Sequence, residues 1–552
     1  MIFRRFLLFT LVIAIAAGLV WLVARAMAPG GLGVWEWLAL LAFAGTAPWT
    51  ALCAANAVLG FSLLMATRDA PAHLLPALRQ AGPPQARTAI IVCIRQEPMA
   101  AVLPPLARLM AGLPAAHFTL WFLSDSTVDI AAERTATLSI AGARYRHRPV
   151  NTGFKAGNVM DFCDHHADGH DFMLCLDADS EMSAAAVLRL VGLMQADPRI
   201  AIVQQLIVGR PAGAAFPRLF QFGMRAGMRS WATGQAWWQG DEGPYWGHNA
   251  LIRIAPFREH ARLEALPDGS PILSHDQVEA VRLHAAGWKV VALPIEAGSM
   301  EGNPPALPEF MARDLRWGAG NMQYFSLLRL PGMTWMGRWQ LVQAILLFAG
   351  APLWVAVLVF SALNAALGGA TDNPALALAM FATWAALHAP KLLGYAQVML
   401  RPGLAAAYGG RAAFTRGAAL EILFTTLLDP VSVFNKAIFL VVLPFRRLRA
   451  RAGQRAGQRA GPQAVQWAVQ NRADRGVGWG DAARLLWPHT LFGLVMFAVL
   501  PVSAWMWAAP WAAGLVLAVP FCVATASPAA SAWLRGRGVA ATPEEIDGHQ
   551  AG

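Results

Sequence analysis

Apolar residues along this chain come in two kinds of run, and the difference divides it into membrane and soluble parts. Long, almost uninterrupted runs occupy 6–27, 36–65, 340–366, 374–400, 485–508 and 510–528. Each approaches or exceeds the ~20 residues that a helix needs to cross the hydrocarbon of a bilayer. Between the second and third lies a more polar block, 86–322, with shorter apolar runs at 88–94, 118–123, 144–147, 172–176, 200–208 and 289–293. Those runs have strand length and alternate with helix-like segments, which predicts an α/β domain with a mostly parallel sheet. Ligands of such sheets sit beyond the carboxyl ends of the strands.

The pattern predicts two transmembrane helices in 1–66, a soluble domain over 86–322, a third and fourth helix in 338–400, a fifth and sixth in 485–528, and a tail from 529 to 552. The stretch 415–445 is apolar too, but Glu421, Asp429, Pro430 and Lys436 interrupt it. If it crossed, the basic linker 446–484 would lie on the outer side, against the positive-inside rule. Interfacial or re-entrant helices are therefore expected for 415–445. The first run resembles a signal peptide in position, yet it is too long and has no small-residue cleavage site. Arg4 and Arg5 precede it, and no Lys or Arg falls between Arg25 and Arg68. The connection near residues 29–34 is thus the outer one, and the N-terminus and the block 86–322 are cytoplasmic.

Composition agrees. Of 552 residues 56% are hydrophobic and 14% charged, which excludes a string of soluble domains. A net charge of +11 raises the question of nucleic acid, but Arg446, Arg447, Arg449, Arg451, Arg455 and Arg459 directly follow an apolar stretch. Topology and attraction to anionic lipid headgroups account for them, so the expected partner is membrane lipid and not nucleic acid. The short repeat at 451–462 reads as a disordered loop without chemistry. Five cysteines show neither paired nor metal-type spacing.

The chemistry is concentrated in the polar block. Asp177 and Asp179 end the run 172–176 as an Asp-x-Asp, where two carboxylates can share a Mg²⁺ or Mn²⁺ with a diphosphate. An acidic loop capping the next helix is the plainer alternative. Asp125 ends the run 118–123 in the same way. In order, the block carries LSDS (123–126), KAGN (155–158), DAD (177–179), YWGHN (245–249), SHD (274–276) and RDLRW (313–317). This ordered set resembles processive glycosyltransferase family 2, to which cellulose and hyaluronan synthases belong, with Arg313 in place of a Gln and Ser-His-Asp in place of Thr-Glu-Asp. The strings KAGN, YWGHNALIR, SHDQVEA, GSMEGNPP and RDLRW are similar to the glucans biosynthesis glucosyltransferase H family. The likeness continues past the block in HAPKLLG (388–394) and in the cluster around Trp467, Gln470, Arg472, Asp474, Arg475 and Trp479.

That resemblance implies a GT-A-like α/β glycosyltransferase domain inserted between transmembrane helices, in a multi-pass protein of the bacterial inner membrane. It implies an inverting hexosyltransferase that uses UDP-glucose and Mg²⁺ or Mn²⁺ to elongate a β-1,2-linked glucan backbone of osmoregulated periplasmic glucans, with passage of the growing chain to the periplasm. A periplasmic glucan-processing protein is a further implied partner. By resemblance Asp276 is the general base, and His275 can tune its proton affinity. Asp179 is the expected metal ligand, Asp177 shares the ribose and metal shell, and Asp125 contacts uracil or ribose. Lys155 and Arg316 are the candidate cations for nucleotide and diphosphate. Trp317 is the expected stacking platform under the acceptor glucose. His248 and Asn249 either form only a turn or line the acceptor and donor sugar pocket. Trp237, Trp238 and Trp246 are as readily core or interfacial residues, and Lys391, with His388 on its helix face, either makes a functional contact within the fourth span or snorkels. Many members carry a long N-terminal extension, so regulation through one is expected to be absent here. A related synthase of another polysaccharide, cellulose-like or hyaluronan-like, is the rival reading. A transporter with a regulatory domain would need inverted repeats that the sequence does not show.

Overall fold

The computed structural model describes residues 1–455 and 474–550. Two apolar helices, α1 (Ile2–Met27) and α2 (Val34–Ala66), run antiparallel ahead of the soluble domain. The domain then places, in order, β1 (Thr88–Ile94), β2 (Phe118–Ser124), β3 (Arg144–His147), α3 (Phe154–His165), β4 (Phe172–Asp177), β5 (Glu181–Met182), β6 (Ile200–Gln205), β7 (Val208–Gly209), α4 (Ala215–Gln239), β8 (Ala250–Arg253), α5 (Asp276–Ala285), β9 (Lys289–Leu293), β10 (Ser299–Glu301) and α6 (Leu307–Asn321). Seven strands form one sheet in the order β3-β2-β1-β4-β8-β6-β9, while β5, β10 and β7 form a small second sheet. All main-sheet pairings are parallel except those of β8 with β4 and β6. The expected mostly parallel α/β sheet is therefore present. Its central strands are apolar on both faces because helices cover both sides.

The sequence pattern misses β8, whose four residues are too short an apolar run to stand out. It also reads 200–208 as one strand, whereas the chain leaves the main sheet at Leu206 and enters the small one at β7.

Helix α4 joins the soluble domain to the membrane helices. Gly60 of α2 and Gly234 of α4 face each other so closely that neither has room for a Cβ. Trp238 Nε1 donates to Asn56 Oδ1 at 2.7 Å. Small residues permit this backbone approach, as they do between helices in bilayers. Trp238 is fully buried, so it is a core residue.

After α6 come α7 (Trp335–Ala366), α8 (Asn373–Leu387), α9 (Ala389–Leu400), α10 (Arg411–Arg455), α11 (Trp479–Val499), α12 (Trp505–Val516), α13 (Ala518–Thr525), α14 (Pro528–Gly536) and α15 (Pro543–Gln550). Among the described residues five helices are long and apolar enough to cross a membrane, namely α1, α2, α7, α11 and the 411–445 part of α10, and two bent pairs add up to two more. The chain is a multi-pass membrane protein. The run 374–400 is bent by 72° between α8 and α9, and the last two apolar runs are divided at Leu500-Pro501, not near 508. Pro501 lacks the N–H that would continue α11.

The stretch 415–445 is one continuous helix through Pro430, not a pair of broken ones. It nevertheless touches the soluble domain along its length. Phe414 and Phe424 meet Phe222 and Phe216 of α4, Ser432 donates to Asp314 of α6 at 3.1 Å, and Phe439 and Leu443 share a cluster with Ala319. The repeat from 456 to 462 and the Trp467–Arg472 cluster lie outside the described residues.

Candidate active site

The carboxyl end of β4 forms the floor of the site. Asp177 is the last residue of that strand, and its backbone N–H donates to Ser180 Oγ at 3.0 Å, which turns the chain so that Asp179 follows within the loop. Lys155, in the first turn of α3, reaches across to the Asp177 carboxylate and donates to the Gly247 carbonyl at 2.8 Å. Burial alone would depress the ammonium, but the carboxylate beside it holds Lys155 well above the ordinary lysine value. Asp179 lies against Gly302 and Arg210, where a Cβ on Gly302 would come 3.1 Å from Asp179 Oδ2.

Gly247 and His248 close the site from above. Gly247 has φ +87°, a conformation only glycine adopts freely, and its missing side chain opens toward Asp276, whose Cβ would be 3.6 Å away. His248 Nε2 lies 3.3 Å from Glu301 Oε2, and its Nδ1 is 3.3 Å from Ser180 Oγ. Burial opposes its charge, yet Asp177 and Glu301 lift the imidazole to about 9. Asn249 is fully buried, and its amide donates to Ser299 Oγ and the Met300 carbonyl. It sits under the loop and fastens β10 to it, and does not form a wall of the pocket.

Asp276 is the first residue of α5, and His275 is the residue before the helix. Burial raises the Asp276 carboxyl above its ordinary value, with His275 pulling it down and Glu279 pushing it up. His275 Nδ1 is 2.9 Å from Glu279 Oε2, and this buried carboxylate lifts the imidazole against the cost of burial. From behind, Gly320 of α6 presses so closely on Ser274 that a Cβ would not fit, and Tyr324 donates to the Ser274 carbonyl at 2.8 Å. Arg316 stands one helical turn before Gly320, on the same face of α6. Trp317 is 46% exposed with the Arg313 guanidinium 4.7 Å above its ring. Lys436 Nζ reaches Asp314 Oδ2 at 3.1 Å.

Asp125, at the end of β2, is buried and held by both edges of Arg148: Nε to Oδ1 at 2.9 Å and Nη2 to Oδ2 at 2.8 Å. Sequence reasoning missed Arg148, Glu301 and Glu279. Arg148 stands seven residues before Lys155 in the same loop, and the loop's Asn-Thr-Gly was the available signal. Nothing local marks Glu301 or Glu279, because each acquires its role from a histidine distant in sequence or one turn away. Among the described residues no group of three or more His, Cys, Asp or Glu side chains converges on a metal position. Asp177 and Asp179 are hard oxygen donors suited to Mg²⁺ or Mn²⁺ only if substrate phosphates supply further ligands, which is the usual manner of Mg²⁺ in nucleotide sites.

A family profile described as Glycosyl transferase family group 2 matches residues 172–399. The chain is 32% identical over 537 residues to the glucans biosynthesis glucosyltransferase H of Caulobacter vibrioides strain NA1000 / CB15N, covering 89% of this chain and 77% of that protein. With the protein of the same name from Xanthomonas campestris pv. campestris strain B100 it shares 31% identity over 602 residues, covering 99% and 87%. The solved structure of the mannosyltransferase PcManGT from Pyrobaculum calidifontis overlaps 62% of this chain and 98% of that one at a TM-score of 0.41 and 16% identity, a likeness too remote to carry an argument.

Proposed function

Because this chain belongs to the glucans biosynthesis glucosyltransferase H family, and is thus a glycosyltransferase of glucan biosynthesis, we propose that it transfers glucose from UDP-glucose, with inversion, to the end of a growing β-1,2-linked glucan. One observation carries the reading: Lys155 donates to the Gly247 carbonyl, and the side-chain position that the same glycine leaves empty opens toward Asp276. A group suited to a departing diphosphate and a group that can take a proton from an acceptor hydroxyl thereby share one residue of the site.

Asp276 accepts that proton, and its raised affinity makes it a stronger base than a solvated aspartate. Lys155, His248 and Arg316 oppose the charge that develops on the leaving UDP. Asp125 binds the nucleoside, and Asp177 and Asp179 would hold a divalent cation, which would supply Lewis-acid stabilisation of the diphosphate. Trp317 offers its face to the acceptor sugar.

The membrane arrangement supports six crossings with the catalytic domain in the cytoplasm. Arg5, in the first turn of α1, pairs with Glu242 of the soluble domain at 2.6 Å, and Arg475, ahead of α11, pairs with Glu309 at 2.7 Å. At the opposite end of the helices, Asp372 donates to the Ala26 carbonyl at 2.9 Å. The tail returns to the catalytic side, where Ser531 Oγ accepts from the Ala215 N–H at 3.0 Å. With α10 lying against the catalytic domain, the crossings are α1, α2, α7, α8 with α9, α11, and α12 with α13. Arg4 and Arg5 then mark the cytoplasmic side of the inner membrane, and the glucan passes outward through the same protein.

The test is purified protein with Mg²⁺ and labelled UDP-glucose, UDP-galactose or UDP-N-acetylglucosamine, followed by linkage-specific glucanases. Product from UDP-glucose alone, cut by a β-1,2-glucanase, supports the proposal. Digestion by a cellulase, or polymer from UDP-N-acetylglucosamine, would instead favour the cellulose-like or hyaluronan-like reading.

A further inference from the structure

We propose that Arg148 is the positioning residue that sets nucleobase specificity, by fixing the Asp125 carboxylate and, with the same guanidinium, the loop that delivers Lys155. The proposal rests on the reading of Asp125 as a nucleoside contact.

Arg148 follows β3 and is itself anchored, since its backbone N–H donates to the Ser124 carbonyl at 3.0 Å. Its side chain addresses five oxygens. Nε and Nη2 take the two oxygens of Asp125, Nη1 donates to the Thr152 carbonyl at 2.8 Å, and Nη2 also reaches Asn151 Oδ1 at 2.9 Å and the Phe154 carbonyl at 3.1 Å. Guanidinium has a rigid fork of five N–H groups, so no lysine could satisfy this set. The loop needs such a clamp. Gly153 and Phe154 both have positive φ, at 72° and 52°, and the second is an unfavourable conformation for a residue with a side chain. The next residue is Lys155, whose ammonium bridges Asp177 and Gly247. One side chain thus couples the end of β2 to the β4 site.

The consequence for specificity follows from hydrogen-bond polarity. An ionised carboxylate only accepts. The pyrimidine edge that matches it is uracil, whose N3 carries a hydrogen, whereas cytosine offers a lone pair at N3 and is repelled. By holding both Asp125 oxygens in one orientation, Arg148 turns a flexible acceptor into a fixed one. A looser Asp125 would rotate away from a cytosine at little cost, so the discrimination depends on the clamp and not on the carboxylate alone.

The experiment measures binding of UDP and of CDP, each with Mg²⁺, to the full purified chain, together with steady-state synthesis from UDP-glucose. Arg148→Lys keeps the charge and loses the fork. It is expected to weaken UDP binding about thirtyfold and CDP binding only about threefold, the shared loss coming from the Lys155 loop, so that the UDP-to-CDP ratio falls about tenfold, with KM for UDP-glucose raised about as much as UDP binding is weakened and kcat within about threefold. Asn151→Ala removes one loop contact and should lower the same ratio by less, about threefold. A wild-type UDP-to-CDP ratio in Arg148→Lys overturns the proposal. If Arg148→Lys does not yield folded protein, Asn151→Ala decides: an unchanged ratio overturns it and a lowered ratio supports it. Asp125→Ala separates the underlying reading, because unchanged UDP affinity in that variant removes Asp125 from the nucleoside site altogether, whereas a loss there with no effect of Arg148→Lys refutes only the role of Arg148.

Discussion

Lys436 Nζ lies 3.1 Å from Asp314 Oδ2, and this pair ties the helix that carries Arg313, Arg316 and Trp317 to the long helix on the membrane face of the catalytic domain. Ser432 donates to the same carboxylate oxygen from one turn earlier. Both partners are largely buried, so removing one charge leaves the other poorly solvated. Lys436→Met should lower glucan synthesis about tenfold through misplacement of α6, with a smaller loss of UDP affinity, about threefold, because Arg316 moves with α6 while Lys155 and Asp125 are untouched. Unchanged turnover in Lys436→Met would mean that α6 is positioned without α10.

Asp276 supplies the pH prediction. Its carboxyl is raised, and a base works only when deprotonated, so activity should fall as pH drops through its pKa, at a higher pH than the ~3.9 of a solvated aspartate. His275 is the neighbouring group that lowers it. His275→Gln removes that cation and leaves Glu279 without its partner, so the acid limb of kcat should move to higher pH. Asp276→Asn should cost about a hundredfold or more in kcat at every pH while UDP still binds. A limb that stays in place in His275→Gln would show that another group controls it.

Much of this site is legible in the sequence because strand ends announce themselves. Asp125, Asp177 and Asp179 follow apolar runs, and the structure sets all three at the carboxyl edge of the main sheet. What was not legible are the partners. Arg148, Glu279 and Glu301 are ordinary charged residues until folding brings them to Asp125, His275 and His248. The same limit applies in the membrane region. Residues 421, 425, 429, 432 and 436 fall on one stripe of α10 at helical spacing, and their polarity is met by Lys391, Tyr395, His388 and Asp314. Lys391 therefore does not snorkel; it donates to Glu421 and Thr425. Charge pattern alone marks the stripe as unsuited to lipid but cannot name what it meets.

The proposed six-crossing arrangement makes a labelling prediction. A cysteine introduced at Ala370, in the turn beside the outer end of α1, should react in intact cells with a membrane-impermeant thiol reagent, and one at Gly476 should not. Four of the native cysteines are buried, and Cys93 lies within the catalytic domain, so background is low. Reaction at Gly476 would mean that α10 crosses the membrane and that the basic segment before α11 faces outward.

If the proposed function holds, Trp317 is where chemistry and passage of the chain can be tested together. Its ring is 46% exposed, it follows Arg316 directly, and the next residue, Gly318, lies against Phe348 of α7, where a Cβ would come 3.1 Å from the ring. The indole is thus held where the catalytic domain meets a membrane helix, with Arg313 stacked on it. An acceptor glucose at this position would lay its apolar face on the ring while its hydroxyls reach Asp276. Trp317→Ala should abolish elongation with UDP affinity nearly unchanged, since the platform touches acceptor and not nucleotide, and Trp317→Phe should keep part of the activity. Sealed vesicles with the catalytic domain outward, fed labelled UDP-glucose, add the second readout: wild-type product should become protected from added glucanase. Product that remains wholly digestible would make this chain a synthase whose glucan leaves by another route, and equal loss of UDP binding in Trp317→Ala would place the indole on the donor side instead.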